Sequence, residues 1–443
     1  MSRRFLITLW PFTGHLLPQL SIAHALRERG HEVAFYSGEA VRSVVEGAGF
    51  ELYPFVHVDE RRVFELVLGL DTGDRRTRPG RGRALGALRS WLVDTIPGQL
   101  RDLDGVLARW EPDAIATDLS MWAPIVVLWE ARRIPVALSS TFMGPLIPGP
   151  DAPAFGFGLR PPRSPWGRRA AAAVTALTEL AATPVRRRVD EIRAGYGLAP
   201  LTESVNRHTA RLPLYVVGNV PELDYGRRDL PGSVHYVGDC IWYPEDSGDD
   251  AWLEAIPAGR PWVHVTESTL ASGEPFLLRC AIDALAGAPV ELIVTTGGRD
   301  PASLGLRSPA ANVHVTRWLR HDRLLSRCSA VVTVGGKATI LAAMHAGVPV
   351  VVVPTSWDKP DNARRVTEAG AGVRLPARRC TPERLRSAVR RVLYQETYRT
   401  AARGLARRLD AAPGPGRAAE LLEAMAAGDH LRTPPATIPG GVT

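Results

Sequence analysis

Short apolar runs alternate with amphipathic stretches through the first half of the chain. An apolar run at residues 5–9 is followed by a helical pattern at residues 17–29, and a second apolar run follows at residues 33–36. This strand–helix–strand order predicts a βαβ unit, which requires a parallel sheet. Short apolar runs at residues 113–117 and 136–139 predict further strands of the same sheet.

A second series of apolar runs begins near residue 262 and again alternates with helical patterns. We predict its strands at residues 262–266, 292–295, 313–316, 330–333 and 350–353. The clearest helices between them lie at residues 339–345 and 362–368. Two insertions with little periodicity, at residues 71–83 and 144–165, are expected to be mobile.

The two series predict an α/β fold of two doubly wound, Rossmann-like domains that face each other across a cleft. Ligands of such sheets bind at the carboxyl ends of the strands. The predicted boundaries are residues 1–215 for the first domain, 216–250 for a linker, 251–415 for the second domain, 416–430 for a terminal helix packing back on the first domain, and 431–443 for a disordered tail.

The composition is typical of a globular protein. The chain has 443 residues, 45% of them hydrophobic and 23% charged, which fits two domains. No segment approaches the ~20 apolar residues of a membrane helix. The first residues imitate a signal peptide only weakly, and the four cysteines show neither metal nor disulfide spacing. We therefore expect a cytoplasmic protein.

The charge of the chain is carried almost entirely by arginine. The net charge is +8, but no nucleic-acid-binding motif accompanies it, so nucleic acid is not expected as a partner. Lys337 and Lys359 are the two lysines of the sequence. Lys337 follows Gly335 and Gly336 at a predicted strand-to-helix turn, where α/β folds bind phosphate. A lysine at this position suits a diphosphate.

Two segments resemble a known family. PFTGHLLPQLSIAHALRERGHEVAF near the start, and residues 312–372 with VVTVGGKATILAAMHAGVPVVVVP and DKPDNARRVTEAGAG, are similar to the GT-B glycosyltransferases of plant secondary metabolism and bacterial antibiotic biosynthesis. The resemblance covers nearly the whole chain. It implies transfer of a sugar from a nucleoside diphosphate to an acceptor, with inversion at the anomeric carbon and without a required metal or other cofactor.

The resemblance also implies a catalytic base in the first domain. His15 matches the histidine that takes the proton of the acceptor hydroxyl, and Asp118 matches the carboxylate that orients this histidine. A base held in one tautomer by an acid is an established catalytic arrangement. The alternatives are a polar residue at a helix N-terminus for His15 and a helix N-cap for Asp118.

The second domain matches the donor-binding half of the family. Trp318 matches the aromatic residue that stacks on the nucleobase, and Asp358 matches the acid that binds the sugar. The remaining donor-binding positions implied by the resemblance are Thr269, Gly335, Gly336, Lys337, Thr339, Lys359 and Asn362. Core packing is the alternative for Trp318, and a solvated surface lysine is the alternative for Lys359.

Several donor positions depart from the family pattern. Val334 replaces the phosphate-binding histidine, and we predict that Lys337 supplies the missing charge. Ala342 replaces the glutamate that holds the ribose hydroxyls, which suits a thymidine nucleotide. Lys359 replaces a glutamine beside Asp358, which suggests an ion pair or an acidic sugar.

Aromatic residues follow several predicted strands of the first domain. Trp10, Phe12, Trp122 and Phe142 are predicted to line an apolar acceptor pocket, although each residue alone is more frequently part of a core. The leading hypothesis is therefore an inverting glycosyltransferase that moves a dTDP- or UDP-linked sugar to a hydroxyl of a hydrophobic natural product.

Two other functions remain open from the sequence. Val334 and Ala342 would suit a non-catalytic GT-B protein that acts as a partner or activator of another enzyme. A sugar-nucleotide epimerase would share the fold. His15 and Asp118 oppose both alternatives, because they place acid–base chemistry in the acceptor half. The sequence leaves the oligomeric state open.

Overall fold

The computed structural model describes residues 1–70, 81–242, 251–267, 274–306 and 310–428, and it contains two parallel sheets. Within these residues the first sheet has seven strands: β1 Arg4–Thr8, β2 Glu32–Ser37, β3 Glu51–Pro54, β4 Ala114–Asp118, β5 Val136–Ser140, β6 Leu214–Val217 and β7 Val234–Tyr236. The second sheet has six: β8 Trp262–Thr266, β9 Glu291–Thr295, β10 Val313–Thr316, β11 Cys328–Thr333, β12 Val350–Val352 and β13 Gly372–Arg374.

Both sheets have the strand order of a doubly wound fold. The order is β3-β2-β1-β4-β5-β6-β7 in the first sheet and β10-β9-β8-β11-β12-β13 in the second. The strands after β1 are added on one side of it, and the chain then returns to place β4 on its other side. The same change of side occurs at β8, with β9 on one side and β11 on the other. Such a reversal opens a crevice at the carboxyl ends of the strands, where ligands bind. The fold therefore provides one ligand crevice in each sheet.

Helices connect the strands. In the first half they are α1 Thr13–Glu28, α2 Arg42–Gly47, α3 Glu60–Leu70, α4 Arg81–Leu92, α5 Ile96–Trp110, α6 Trp129–Ala131, α7 Pro165–Ala181, α8 Thr183–Ala194 and α9 Val205–His208. In the second half they are α10 Ala251–Glu254, α11 Phe276–Leu285, α12 His321–Leu325, α13 Lys337–His345, α14 Lys359–Glu368, α15 Pro382–Tyr394, α16 Glu396–Asp410 and α17 Pro415–Ala426. No described helix is long and apolar enough to cross a bilayer.

Apolar layers cover both faces of each sheet. Along β1 the side chains alternate, so that Leu6 joins one layer while Phe5 and Ile7 join the other. Burial on both faces explains why the strands are continuous apolar runs. Each fully buried side chain of this kind contributes roughly 1.5–3 kcal/mol.

The last described helix returns to the first sheet. Leu421 and Leu422 of α17 pack in the same apolar cluster as Leu16 and Leu20 of α1. Glu423 makes an ion pair with Arg29, 2.6 Å from its Nη2. The chain therefore crosses from the second sheet back to the first after α16.

The predicted fold class is confirmed, and most predicted strands shift by no more than two residues. The helix predicted at residues 17–29 begins earlier, at Thr13, and continues through Pro18. β7 lies in the first sheet although its residues were assigned to the linker. The predicted tail, residues 243–250 of the predicted linker and residues 71–80 of the first insertion lie outside the described residues.

The second insertion differs most from expectation, because it is anchored rather than mobile. The backbone N–H groups of Gly156 and Gly158 donate to the two carboxylate oxygens of Asp361, at 2.6 and 2.7 Å. Asp361 lies on α14, so the insertion of the first domain is fastened to a helix of the second. We call residues 144–164 the strap.

Candidate active site

His15 and Asp118 meet at the crevice of the first sheet. His15 lies in the first turn of α1, the helix that follows β1, and Asp118 is the last residue of β4. The imidazole Nδ1 lies 2.5 Å from the carboxylate Oδ2. β1 and β4 are hydrogen-bonded neighbours on either side of the point where the strand order reverses. The fold thus brings together the two residues that the sequence analysis paired.

Each carboxylate oxygen of Asp118 lies against a polar group of a neighbouring residue. Its residue is fully buried, and Oδ1 accepts hydrogen bonds from the backbone N–H and the hydroxyl of Ser120, both at 2.6 Å. Burial alone would raise the pKa of Asp118, but the charge and hydrogen bond of His15 and the bonds from Ser120 hold it below its usual value. Asp118 is therefore an anion at neutral pH. Its contact with His15 accounts for its position without a role as a helix N-cap.

The other side of the imidazole is accessible. The Nδ1 atom of His15 is buried, whereas one fifth of the side-chain surface is exposed. With Nδ1 turned to Asp118, Nε2 is the ring nitrogen left to accept a proton. The ring of Phe12 packs edge-on against the imidazole, with centroids 5.3 Å apart. Phe12 and Asp118 thus hold the ring from two directions.

The crevice of the second sheet contains a glycine turn whose backbone lies close to neighbouring residues. Gly335 follows β11 with a φ of +101°, and a Cβ there would lie 2.8 Å from the Cγ1 atom of Val352. A side chain is therefore excluded at this position. Gly336 is the N-cap of α13, and a Cβ there would meet nothing within 4 Å. The space beside the start of α13 is therefore open, and the first N–H groups of a helix are a common anion site.

Lys337 is the first residue of α13 and reaches toward the first sheet. Its Nζ donates a 2.9 Å hydrogen bond to the carbonyl of Ser140, the last residue of β5. Burial lowers the pKa of Lys337, and the carboxylates of Asp358 and Asp118 are among the groups that oppose this shift. The ammonium thus lies between the two crevices and connects them, which the sequence did not reveal.

The start of α14 lies against the glycine turn. The side-chain amide of Asn362 donates to the carbonyl of Gly335 at 2.9 Å and to Oδ2 of Asp358 at 2.7 Å. Burial raises the pKa of Asp358 above its usual value, and the hydrogen bond from Asn362 offsets part of this rise. Lys359 is 6% exposed, so the alternative of a solvated surface lysine is wrong. Its Cβ and carbonyl pack against Gly335 instead.

The remaining positions of the second domain differ in exposure. Trp318 follows β10 and is 43% exposed, so it is not a core residue and its ring is available for stacking. Thr339 is partly buried in the first turns of α13. Thr269 lies outside the described residues. Val334 and Ala342 are buried in apolar clusters and present no polar group to the turn.

The predicted acceptor residues are more deeply buried than a pocket wall would be. Trp10 is fully buried and its indole N–H donates to the carbonyl of Ser120 at 2.9 Å. Phe12 and Trp122 are 2% and 9% exposed. Phe142 is partly buried and packs against Phe155 with centroids 5.4 Å apart. Of the four, Phe142 keeps the most accessible position, and Phe12 adjoins the base.

Two aromatic residues that the sequence analysis missed complete this region. Trp91 of α4 packs against Phe12 with centroids 6.1 Å apart, and Trp357 of the second domain packs against Trp91 at 5.7 Å. Trp357 directly precedes Asp358, which was the signal available in the sequence. Among the described residues, no group of three or more histidines, cysteines or carboxylates is placed to hold a metal ion.

Comparison with known proteins identifies relatives over most of the chain. Residues 279–425 match the family described as erythromycin biosynthesis protein CIII-like, C-terminal domain. The chain is 33% identical over 408 residues to the 4'-demethylrebeccamycin synthase of Lentzea aerocolonigenes, an alignment covering 90% of this chain and 94% of that protein.

Solved structures share the fold. The glycotransferase of kitacinnamycin superposes with a TM-score of 0.72 at 24% identity, covering 96% of this chain and 99% of that one. The spinosyn rhamnosyltransferase SpnG, solved with thymidine diphosphate, has a TM-score of 0.68 at 21% identity, covering 95% and 100%. Both matches extend over the two sheets.

Proposed function

We infer the function of this chain from its family, since it belongs to the GT-B glycosyltransferases that include the antibiotic glycosyltransferases of bacteria. It is a glycosyltransferase that uses a nucleotide-sugar donor. We propose that it moves a sugar from a thymidine or uridine diphosphate to a hydroxyl of an apolar natural product, with inversion at the anomeric carbon. The observation that carries this proposal is the His15–Asp118 contact of 2.5 Å in the crevice of the first sheet.

The proposed reaction is a single displacement. The acceptor hydroxyl gives its proton to Nε2 of His15 while its oxygen attacks the anomeric carbon of the sugar. The bond from that carbon to the diphosphate oxygen breaks, and the nucleoside diphosphate leaves with the electron pair. Asp118 stabilises the imidazolium that forms, because its carboxylate is charged and 2.5 Å from Nδ1. Attack from the side opposite the leaving group inverts the anomeric centre.

The leaving diphosphate is proposed to lie on the turn before α13. The N–H groups that open this helix and the ammonium of Lys337 would stabilise the developing negative charge. Trp318 would stack on the base, and Asp358 with Asn362 would bind the sugar hydroxyls. Because these groups supply the positive charge, we expect transfer to continue in EDTA. A strict requirement for Mg²⁺ or Mn²⁺ would contradict this part of the proposal.

The nucleotide is proposed to be thymidine diphosphate rather than uridine diphosphate. Ala342 offers no group to a 2′-hydroxyl, which thymidine nucleotides lack. SpnG was solved with thymidine diphosphate, which supports the same choice. The acceptor is proposed to be an antibiotic-type natural product, in line with the relative that makes 4'-demethylrebeccamycin.

The proposal is tested by titrating the protein with dTDP and UDP in a calorimeter, followed by transfer assays with dTDP- and UDP-sugars. We expect dTDP to bind more tightly, and a glycosylated product of inverted configuration to form. Trp318→Ala should weaken the binding of both nucleotides. If the folded protein bound neither nucleotide, the proposal would be overturned and a non-catalytic partner protein would be favoured.

A further inference from the structure

The outer face of α7 is apolar, although the helix lies at the surface of the first domain. Of its residues, Pro165–Ala181, the helix buries Thr175. Its start is set by local signals, because the hydroxyl of Ser164 accepts a hydrogen bond from the N–H of Gly167 at 3.0 Å and a proline occupies the first turn. Packing on the first domain therefore covers little of the apolar surface of this helix.

The exposed apolar side chains of α7 form one stripe. They recur at intervals of four, three, four and three residues, which places them on one face of a helix: Trp166, Ala170, Ala173, Leu177 and Leu180. Trp166 is 76% exposed, Leu177 66% and Leu180 70%. The buried Thr175 follows Trp166 by about two and a half turns, so it lies on the opposite face. We call these five residues the apolar stripe, which is about 21 Å long. A contiguous exposed patch of this kind marks an interaction surface.

Arginines flank the apolar stripe at both of its ends. Residues 160–188 contain one carboxylate, that of Glu179, and seven arginines: Arg160, Arg163, Arg168, Arg169, Arg186, Arg187 and Arg188. These groups give the segment a net charge of +6, compared with +8 for the whole chain. Arg160, Arg169 and Arg187 are exposed and make no ion pair with the described residues. Most of the excess positive charge is therefore concentrated around the stripe.

A tryptophan and an arginine meet at the start of the stripe. The guanidinium of Arg169 lies 5.0 Å from the ring centroid of Trp166, which precedes it by three positions on the helix. Tryptophan is enriched at the boundary between lipid and water, where its amphipathic ring lies among the headgroups. A helix with tryptophan and leucine on one face and arginine beside them is typical of helices that lie in the plane of a bilayer surface.

The charge and the shape of the stripe favour a lipid surface over a protein partner. A second copy of the chain would bring together two segments that each carry +6, and like charges placed opposite each other oppose association. A protein interface is also centred on side chains that fill pockets, whereas the stripe is a convex helix face. A bilayer adapts to a convex apolar face, and its anionic headgroups attract arginine.

We propose that α7 docks the protein on an anionic lipid bilayer. Trp166, Leu177 and Leu180 insert at the boundary between headgroups and acyl chains, and the arginines of residues 160–188 contact lipid phosphates. α7 supplies no residue to the proposed sugar-transfer site, so the docking does not depend on the proposed function. An apolar acceptor would accumulate in the same bilayer, which would bring the enzyme to its substrate.

Docking is measured by sedimentation of the protein with vesicles of phosphatidylglycerol and phosphatidylcholine, and with vesicles of phosphatidylcholine alone. We expect binding to the anionic vesicles, and we expect it to fall with added salt, because salt screens the attraction. The double variant Leu177→Glu with Leu180→Glu should lower the partition coefficient by about tenfold or more, because two inserted apolar side chains become charged. Both positions are exposed, so its fold and its dTDP binding should be unchanged.

A second variant tests the charge, and a third is the control. Arg169→Gln with Arg187→Gln keeps the apolar stripe and should weaken binding to anionic vesicles by about an order of magnitude, with a smaller dependence on salt. Tyr394→Glu also places a carboxylate at an exposed apolar position, since Tyr394 is 65% exposed at the end of α15. It lies in the second domain and should bind vesicles as the wild type does.

Failure of the wild-type protein to sediment with the anionic vesicles would overturn the inference. Equal binding to both kinds of vesicle would do so as well, as would unchanged binding by Leu177→Glu with Leu180→Glu. A dimer in solution that this double variant converts to a monomer would show that the stripe joins two copies instead. Failure to bind dTDP, measured on the same preparations, would contradict the proposed function and leave the docking standing, so the two failures are distinguishable.

Discussion

Asp118 combines a charged carboxylate with complete burial, and this combination is stable only because each oxygen has a partner. His15 contacts one oxygen, and Ser120 donates twice to the other. A buried anion without such partners would be protonated. The pair thus depends on interactions between β1, α1 and β4 rather than on either residue alone.

We predict that Asp118→Asn lowers the transfer rate by roughly 10²–10⁴-fold, the usual contribution of acid–base catalysis, because the imidazolium loses its counter-charge. Nucleotide affinity should be unchanged, since the donor turn is on the other sheet. Steady-state kinetics and calorimetry on the same preparation check both parts. Ser120→Ala, which leaves the carboxylate in place, is the control and should reduce the rate far less.

Lys337 is the residue at which sequence and structure give different partners. The sequence predicts a diphosphate ligand, and the structure shows a hydrogen bond to Ser140 across the two sheets. An ammonium has three donors, so both contacts can be made by one side chain. Gly218 lies beside the ammonium, since a Cβ there would be in contact with Nζ at 3.4 Å.

We predict that Lys337→Ala weakens dTDP binding by about 1.5–3 kcal/mol, as for the loss of a hydrogen bond to a charged group. Lys337→Arg should restore little, because the planar guanidinium is larger and directs its donors differently. Calorimetry measures both variants. A dissociation constant equal to that of the wild type, in a protein that still folds, would show that Lys337 serves the contact with Ser140 alone.

At the scale of elements, α14 connects the domains through one face. Asp358, its N-cap, and Asn362 in its first turns lie at the glycine turn. Asp361 and Arg365 lie on the same face by their spacing and contact the first domain. Arg365 makes an ion pair with Asp224 at 2.6 Å, with side chains 8% and 1% exposed. Its guanidinium also lies 4.4 Å from the ring centroid of Tyr225. The proposed donor site and the domain boundary therefore share one helix.

We predict that Arg365→Met lowers the free energy of unfolding by about 3–5 kcal/mol, because Asp224 is left as a buried anion without its partner. The double variant Arg365→Met with Asp224→Asn should regain part of the loss. Urea denaturation followed by circular dichroism measures both. Arg390→Met on α15, an exposed position, is the control and should stay within about 0.5 kcal/mol of the wild type.

The strap shows why the sequence predicted some elements and not others. The strands of the sheets are buried on both faces, so their apolar runs are visible locally. The strap contains no such pattern, and its order comes from Asp361, about two hundred positions later in the chain. The same holds for Trp91 and Trp357, whose contact joins distant segments. Long-range pairings of this kind leave no periodic signal in one sequence.

At the scale of the whole molecule, two sheets with the same reversal of strand order place their crevices on either side of one boundary. The pairing of His15 with Asp118 was predictable, because parallel strands that neighbour each other end at the same edge. The burial of Trp10 and the bond from Lys337 to Ser140 were not, because they depend on contacts between segments that are distant in the chain. The sequence therefore predicts the pairing of His15 with Asp118 better than the packing around the proposed acceptor residues.

The most direct test of the central claim compares the rates of sugar transfer by His15→Ala and His57→Ala. His57 is a matched control, because its Nδ1 also lies 2.6 Å from a carboxylate with 2% of its surface exposed, that of Asp102. If His15 is the base, His15→Ala loses roughly 10²–10⁴-fold in transfer rate, while its dTDP affinity is unchanged. His57→Ala keeps a rate close to that of the wild type. Transfer by His15→Ala at the wild-type rate would contradict the proposed mechanism.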